Sequence, residues 1–275
     1  MATLVCRDKT LHLSRTAVMG IINLTPDSFV PASRQTADTA VAAALHMAAQ
    51  GAAVLDIGAC STRPGSTAVP PEEELRRLLP ALTAIRRAVE LPLSVDTTCP
   101  QTAKAALEAG ADILNDVSGS LDSPLFELAA ASGAALVVMH AGGGADDRAL
   151  DDALPAVRRF FEAALQRAQA VGLPLQRLCL DPGIGFGKSL QGDRQLIANL
   201  PELLHGLPDV AVLVGASRKR VTAAEGDTAA DRLEATLALH SLAQWGGAHL
   251  LRVHDVGEAV RAARAVDALR CAKKS

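Results

Sequence analysis

No stretch of the 275 residues is rich enough in lysine and arginine to mark a polyanion-binding surface, and the formal net charge is only −3. That balance argues against electrostatic capture of nucleic acid, although a small acidic substrate needs only a few local cations. No apolar run reaches the length that spans a bilayer, and the amino terminus carries no signal-peptide pattern. A cytoplasmic protein without membrane partners is therefore expected. The five cysteines (Cys6, Cys60, Cys99, Cys179, Cys271) are scattered, odd in number and free of C-x-x-C spacing, which disfavours a disulfide framework and a zinc site alike. His249 and His254 lie five apart, the wrong step for one helical face, and no H-E-x-x-H occurs, so no protein-only metal cage is expected.

Two nucleotide fingerprints are missing as well. The most conspicuous stretch is Leu178-Cys-Leu-Asp-Pro-Gly-Ile-Gly-Phe-Gly-Lys-Ser189, an apolar run that ends in a carboxylate and then a glycine-rich, lysine-bearing turn. A P-loop would need glycine where Pro182 stands, and G-x-G-x-x-G read from Gly183 meets Lys188.

What is present is 49% hydrophobic residues in one uninterrupted pattern, enough for a single domain with a large core. Short β-branched runs alternate eight times with longer Ala/Leu/Arg segments, which is the count of a (β/α)8 TIM barrel over residues 1–275, with 1–16 as a short amino-terminal extension. Strands are expected at Ala17–Leu24, Ala53–Ile57, Leu93–Asp96, Ile113–Val117, Ala135–Met139, Leu178–Leu180, Val210–Val214 and Leu250–Val253. Helices are expected near Asp38–Ala49, Pro71–Val89, Pro100–Glu108, Pro124–Ala131, Pro155–Ala170, Arg194–Leu204, Ala229–Gln244 and Glu258–Leu269. Pro71 suits a first helical position, and Glu72, Glu73 and Glu74 after it meet the positive end of the helix dipole. The competing architecture, a doubly wound open sheet, would call for the dinucleotide fingerprint that is missing.

Polar residues fall at the carboxyl ends of these runs: Asn23, Asp56, Asp96, Asn115, His140, Asp181, Lys219, Arg252 and His254. One such residue reads as a loop cap, and Asp56 taken alone reads that way. Nine converging groups at the face where barrels build their sites read as a binding site. Arg252 and His254 alternate on one strand face and with Lys219 would form an anion-binding corner. Asp96, Asn115 and Asp181 supply acceptors and an amide, suited to a flat heterocycle edge with several N–H donors and one carbonyl.

Gly20-Ile-Ile-Asn-Leu-Thr-Pro-Asp-Ser-Phe29, Ser61-Thr-Arg-Pro-Gly65, Asn115-Asp-Val-Ser-Gly119, Asp181–Lys188 and Ser217-Arg-Lys219 occur in the order seen in dihydropteroate synthases, and the chain resembles that family from about Ala17 to Asp255. The resemblance implies a homodimeric transferase of folate biosynthesis and a sulfonamide target. Its reaction joins 6-hydroxymethyl-7,8-dihydropterin diphosphate to 4-aminobenzoate, releasing pyrophosphate, with Mg2+ on the diphosphate. It places the pterin against Asp96, Asn115, Asp181 and Lys219, and the metal at Asn23. The diphosphate would meet Arg63, Arg252 and His254, while Thr62, Pro64, Phe186 and Ser217 would border the aminobenzoate. Lys219, Arg252, His254 and Arg63 are the expected catalytic group. Two other readings share the pterin pocket: a catalytically silent paralogue, and a methyltransferase that passes a methyl group to a corrinoid.

Departures from the family pattern sit in the loops: Val30-Pro31-Ala32-Ser33, Ala59-Cys60, His140-Ala141-Gly142-Gly143, and Arg220 where serine is common. Arg220 is expected either to offer its fork to the aminobenzoate carboxylate or to point into solvent. Cys60 has no base nearby in sequence and no expected covalent role.

Overall fold

The computed structural model describes residues 2–24, 33–60, 69–142, 151–224, 226–228 and 230–272. Eight parallel strands close into a barrel: β3 (Ala17–Asn23), β4 (Val54–Gly58), β5 (Leu93–Asp96), β6 (Ile113–Asp116), β7 (Ala135–Met139), β8 (Leu178–Asp181), β9 (Ala211–Val214) and β10 (Leu250–Val253), with β10 pairing back onto β3. Around them run α1 (Ser33–Ala49), α2 (Pro71–Ala88), α3 (Pro100–Glu108), α4 (Leu125–Ser132), α5 (Leu154–Ala170), α6 (Leu190–Ala198), α7 (Leu200–Leu204), α8 (Leu233–Trp245) and α9 (Val256–Ala272). The (β/α)8 barrel expected from the alternation is the fold observed.

Side chains of alternate strand positions divide two cores. Outward-facing Ile22, Leu55, Ile57, Val95, Leu114, Leu136, Val138, Leu180, Val214 and Leu251 pack with helix residues such as Leu78, Leu82, Ile85, Phe126 and Phe161. Inward-facing Met19, Val54, Ile113, Val137, Cys179, Leu213 and Leu250 form a second cluster at the amino-terminal end of the barrel. Above that apolar layer the inner face turns polar, with Asp56, Ser94, Asp96, Asn115 and Asp181 all buried. A barrel interior is a packed core, so this polar upper layer needs its own partners and defines the end where chemistry can occur.

Three local features differ from the sequence expectations. The segment expected as an extension contains an antiparallel hairpin, β1 (Thr3–Cys6) with β2 (Lys9–His12), whose Leu4 and Cys6 join the inner apolar cluster. The single helix expected over Arg194–Leu204 begins earlier and is split. Ser189 caps α6 by accepting the Gly192 N–H at 3.0 Å, and Pro201 cannot continue the hydrogen-bond ladder, so α7 restarts after Asn199. The helix expected from Ala229 starts only at Leu233, after a short 3-10 turn at Ala230–Arg232.

Candidate active site

Asp56 occupies the centre of the polar layer. Its Oδ1 accepts Ser94 Oγ at 2.6 Å, and its Oδ2 accepts Asn115 Nδ2 at 3.2 Å and Arg252 Nε at 2.6 Å. It is no loop cap. Arg252 then reaches across with Nη2 to Asp96 Oδ2 at 2.9 Å, so one guanidinium bridges two carboxylates. The remaining oxygen of Asp96, Oδ1, is buried without a hydrogen-bond partner among the described residues. Burial, and then the anions Asp56 and Glu74, push the Asp96 carboxyl up to about 7 against the pull of Arg252 and Lys219.

Opposite this group stands the glycine-rich turn after β8. Asp181 Oδ1 accepts the Gly183 N–H at 2.7 Å, and burial raises its carboxyl while Lys219 draws it back. Gly183 and Gly187 both take positive φ. A Cβ on Gly183 would strike the His140 carbonyl oxygen, and one on Gly187 would strike the backbone of Gly142, so at both places the close approach requires glycine. Lys188 ties the turn together from inside: its Nζ donates to the carbonyls of His140, Gly183 and Phe186 at 2.8, 2.9 and 2.8 Å. Lys219 donates to the Ile184 carbonyl at 2.7 Å, and its Nζ lies 4.6 Å from the centroid of the Phe186 ring. Burial lowers both ammonium groups to about 8. His140, against the edge of Phe160, is lowered to about 4 by burial and by Lys188, and is neutral at physiological pH.

On the side of β9 and β10, Ser217 Oγ lies 3.0 Å from His254 Nδ1 and 3.3 Å from the His254 backbone N. The loop after β9 is set by His240 on α8, whose Nε2 accepts the Ala216 N–H at 2.9 Å. Arg220 donates to the Lys188 carbonyl at 3.0 Å and approaches Asp193 at 4.0 Å, with 60% of its side chain exposed. It braces the glycine-rich turn, a role the sequence reading did not foresee. The Cys60 thiol is pushed up to about 11 by burial and Glu74.

These groups cluster at the carboxyl end of the barrel, and comparison with known proteins identifies the family of the chain. The model of the pterin binding enzyme family matches residues 19–254. The chain belongs to that family. It is 37% identical to the dihydropteroate synthase of Escherichia coli, over 99% of this chain and 98% of that protein. Among solved structures, the Xanthomonas albilineans dihydropteroate synthase with 4-aminobenzoic acid superposes with a TM-score of 0.90 at 41% identity, covering 98% of each chain. The same enzyme in complex with 7,8-dihydropteroate gives 0.86 at 39% identity, again covering 98% of each chain.

Within this pterin-binding barrel, the structure brings Asp96, Asn115, Asp181, Lys219 and Arg252 to one face, with Phe186 against Lys219 and Ser217 against His254. In the corner expected to bind an anion, each group also has a protein partner: Arg252 two carboxylates, Lys219 a carbonyl and His254 Ser217. Thr62, Arg63 and Pro64, and the departures at Val30, Pro31, Ala32 and Gly143, lie outside the described residues. His240 is a support that sequence reasoning missed, and so are the partners of Asp56 and Lys188, two residues it had noted. Asp56 carried a signal as a carboxylate on an otherwise apolar strand, and Lys188 as the lysine of the glycine-rich turn.

Asn23 ends β3, half-buried, its Oδ1 3.8 Å from the point where a Cβ on Gly58 would stand. Among the described residues no group of three or more His, Cys, Asp or Glu side chains could hold a metal. One neutral amide oxygen fits Mg2+ that arrives already bound to phosphate, because that ion commonly takes most of its ligands from phosphates and water.

Proposed function

We propose that the protein condenses 6-hydroxymethyl-7,8-dihydropterin diphosphate with 4-aminobenzoate to give 7,8-dihydropteroate and pyrophosphate. The observation that carries this reading is the buried acceptor set at the carboxyl end of the barrel, in which Asp96 keeps one oxygen without a partner. A flat ring with several N–H donors satisfies such acceptors, whereas an apolar ligand would leave them desolvated and unpaired. Asp96, Asn115 and Asp181 hold the donor edge of the pterin, and Lys219 reaches its carbonyl.

The carbon–oxygen bond of the pterin methylene breaks with its electron pair going to pyrophosphate. The aniline nitrogen forms the new bond to that carbon and then loses a proton. The carboxylates favour the positive character that the ring gains as the bond breaks, and Arg63, Arg252 and His254 receive the leaving charge. Thr62, Pro64, Phe186 and Ser217 border the aminobenzoate and hold the weak nucleophile in line. Mg2+, held through Asn23, would neutralise charge on the departing diphosphate. No covalent intermediate is needed, consistent with the raised Cys60 thiol.

Release of pyrophosphate from the dihydropterin diphosphate, measured with and without 4-aminobenzoate, tests the reading. Release that depends on 4-aminobenzoate is expected. Pterin binding with no release would instead identify the silent paralogue, and methyl transfer from a methylated pterin to a corrinoid would identify the methyltransferase.

The assembly proposed is a homodimer. Leu242 and Trp245 on α8, three apart and so on one helix face, and Leu269 on the neighbouring α9 are large apolar side chains that are about half or more exposed. Sedimentation equilibrium giving twice the chain mass of 28.4 kDa is the expected result.

A further inference from the structure

The substrate assignment gives Asp56 no ligand to bind, yet the polar layer is built on it. Its carboxylate is fully buried, and it gathers donors from three strands: Ser94 on β5, Asn115 on β6 and Arg252 on β10. Two consequences follow from its being an acceptor only. Asn115 must turn its NH2 toward Asp56, which directs its carbonyl oxygen elsewhere. Arg252, held by Nε, must extend Nη2 to one oxygen of Asp96, which leaves the other without a partner. The protein's own hydrogen bonds thereby decide which oxygen of Asp96 is left without a partner and which end of the Asn115 amide is taken.

We propose that Asp56 is a positioning residue of the pterin pocket: through Arg252 and Asn115 it selects the oxygen of Asp96 and the face of the Asn115 amide that meet the substrate. This rests on the pterin reading above. The competing role is purely structural, a counter-charge that lets the barrel bury Arg252.

The test compares Asp56→Asn, Ser94→Ala, Arg252→Ala and the Asp56→Asn/Arg252→Ala double variant, each checked for folding by circular dichroism and thermal melting. Binding of the phosphate-free 6-hydroxymethyl-7,8-dihydropterin is measured by calorimetry from about pH 5.5 to 8.5, and KM for 4-aminobenzoate separately. Asp56→Asn should weaken pterin binding about tenfold or more while moving the 4-aminobenzoate KM by less than about twofold. The pH midpoint of pterin binding should move down, because the Asp56 anion that opposes ionisation of Asp96 is gone. Adding Arg252→Ala to Asp56→Asn should cost less than the product of the two single effects, the signature of one residue acting through the other. Ser94→Ala, which removes one partner and no charge, should weaken pterin binding about threefold.

A folded Asp56→Asn that binds pterin like the wild type with the same midpoint overturns the proposal, as does equal damage to pterin affinity and 4-aminobenzoate KM. If Asp56→Asn does not fold, Ser94→Ala decides: unchanged pterin affinity there overturns it too. A wild type that binds pterin but releases no pyrophosphate removes the proposed reaction and leaves this test intact, since it is read from binding alone. A wild type that binds no pterin removes both.

Discussion

Asp181 divides its carboxylate between the turn and the proposed ligand, because its Oδ1 already accepts the Gly183 N–H at 2.7 Å. In Asp181→Asn, either the turn loses its acceptor or the amide NH2 faces the donor edge of the pterin. Charge-assisted bonds contribute about 1.5–3 kcal/mol, so calorimetry should show pterin affinity lower by at least about tenfold; unchanged affinity would return Asp181 to a purely turn-forming role. Binding should also depend on pH with two limbs. The carboxyl of Asp96, raised to about 7, ionises only as pH rises past that value, so affinity climbs through it. Lys219, lowered to about 8, loses its charge above that value, so affinity then falls. A flat calorimetric profile across this range would show that neither group meets the ligand. The same raised carboxyl has a stability consequence of fixed sign: between the unfolded value of about 4 and 7 the native state holds a proton the unfolded chain has released, so this contribution declines as pH rises through that window. Cys60→Ser should leave turnover within about threefold in a steady-state assay, since a thiol held near 11 is not a thiolate at neutral pH. The ends of strands were legible in sequence, and so were Asp96, Asn115, Asp181, Lys219 and Arg252. Their partners were not, because position along a strand says nothing of which side chain stands opposite across a barrel. Arg252 therefore read only as part of an anion-binding corner, although Asp56, 196 positions away in sequence, accepts its Nε.

The glycine-rich turn between β8 and α6 shows an element whose shape is set by one buried charge. Lys188, 3% exposed, donates to three carbonyls, and Arg220 braces the turn from outside through the Lys188 carbonyl. Lys188→Met keeps the apolar stem and takes the ammonium from three carbonyls: Gly183 and Phe186 still accept the Phe186 and Gly142 N–H groups at 3.1 Å, and the His140 carbonyl is left unpaired. Removing the hydrogen bonds of a charged donor and stranding one acceptor should cost about 2–3 kcal/mol, read from the urea midpoint. Arg220→Ser, at a largely exposed side chain, should cost under about 1 kcal/mol. A Lys188 variant as stable as the wild type would mean that water replaces the ammonium. Most barrel strands and helices were legible because buried strands read as β-branched runs and the helices between them opened with proline or closed at glycine. The split of α6 from α7 was written in Pro201, but the apolar positions run through it and masked the break. The hairpin Thr3–His12 was hidden for another reason: its strands alternate in burial and include Lys9 and His12, so they do not read as the apolar runs of the barrel, and their reason for existing is the barrel floor they cover.

For the whole molecule, that floor and the site occupy opposite ends of one interior. Leu4, Cys6 and Leu13 close the apolar end against Met19, Val54, Ile113, Val137 and Leu250. Polar ties hold the cover in place: Arg7 donates to the carbonyls of Leu107 and Ala111 at 3.0 and 3.3 Å, and Lys9 meets Asp112 at 2.9 Å beside Arg86 at 3.0 Å. Asp112 also accepts the Leu93 N–H at 2.9 Å, so the cover is coupled to the start of the strand whose far end is Asp96. Stability and chemistry are thus assigned to separate ends, as in barrels generally. Leu4 is fully buried, and Leu4→Ala would leave a cavity that the surrounding strands cannot close without distorting the barrel. The expected cost is about 2–5 kcal/mol, seen as a lower melting temperature. At a temperature where the variant is fully folded, KM for the dihydropterin diphosphate should stay within about twofold, because the polar layer lies between the cavity and the proposed substrate site. The converse variant, Asp181→Asn, should lose pterin affinity with a smaller change in melting temperature. A Leu4→Ala protein that melts lower and also binds pterin at least about tenfold more weakly would show that the two ends are mechanically coupled through the strands, contrary to this division.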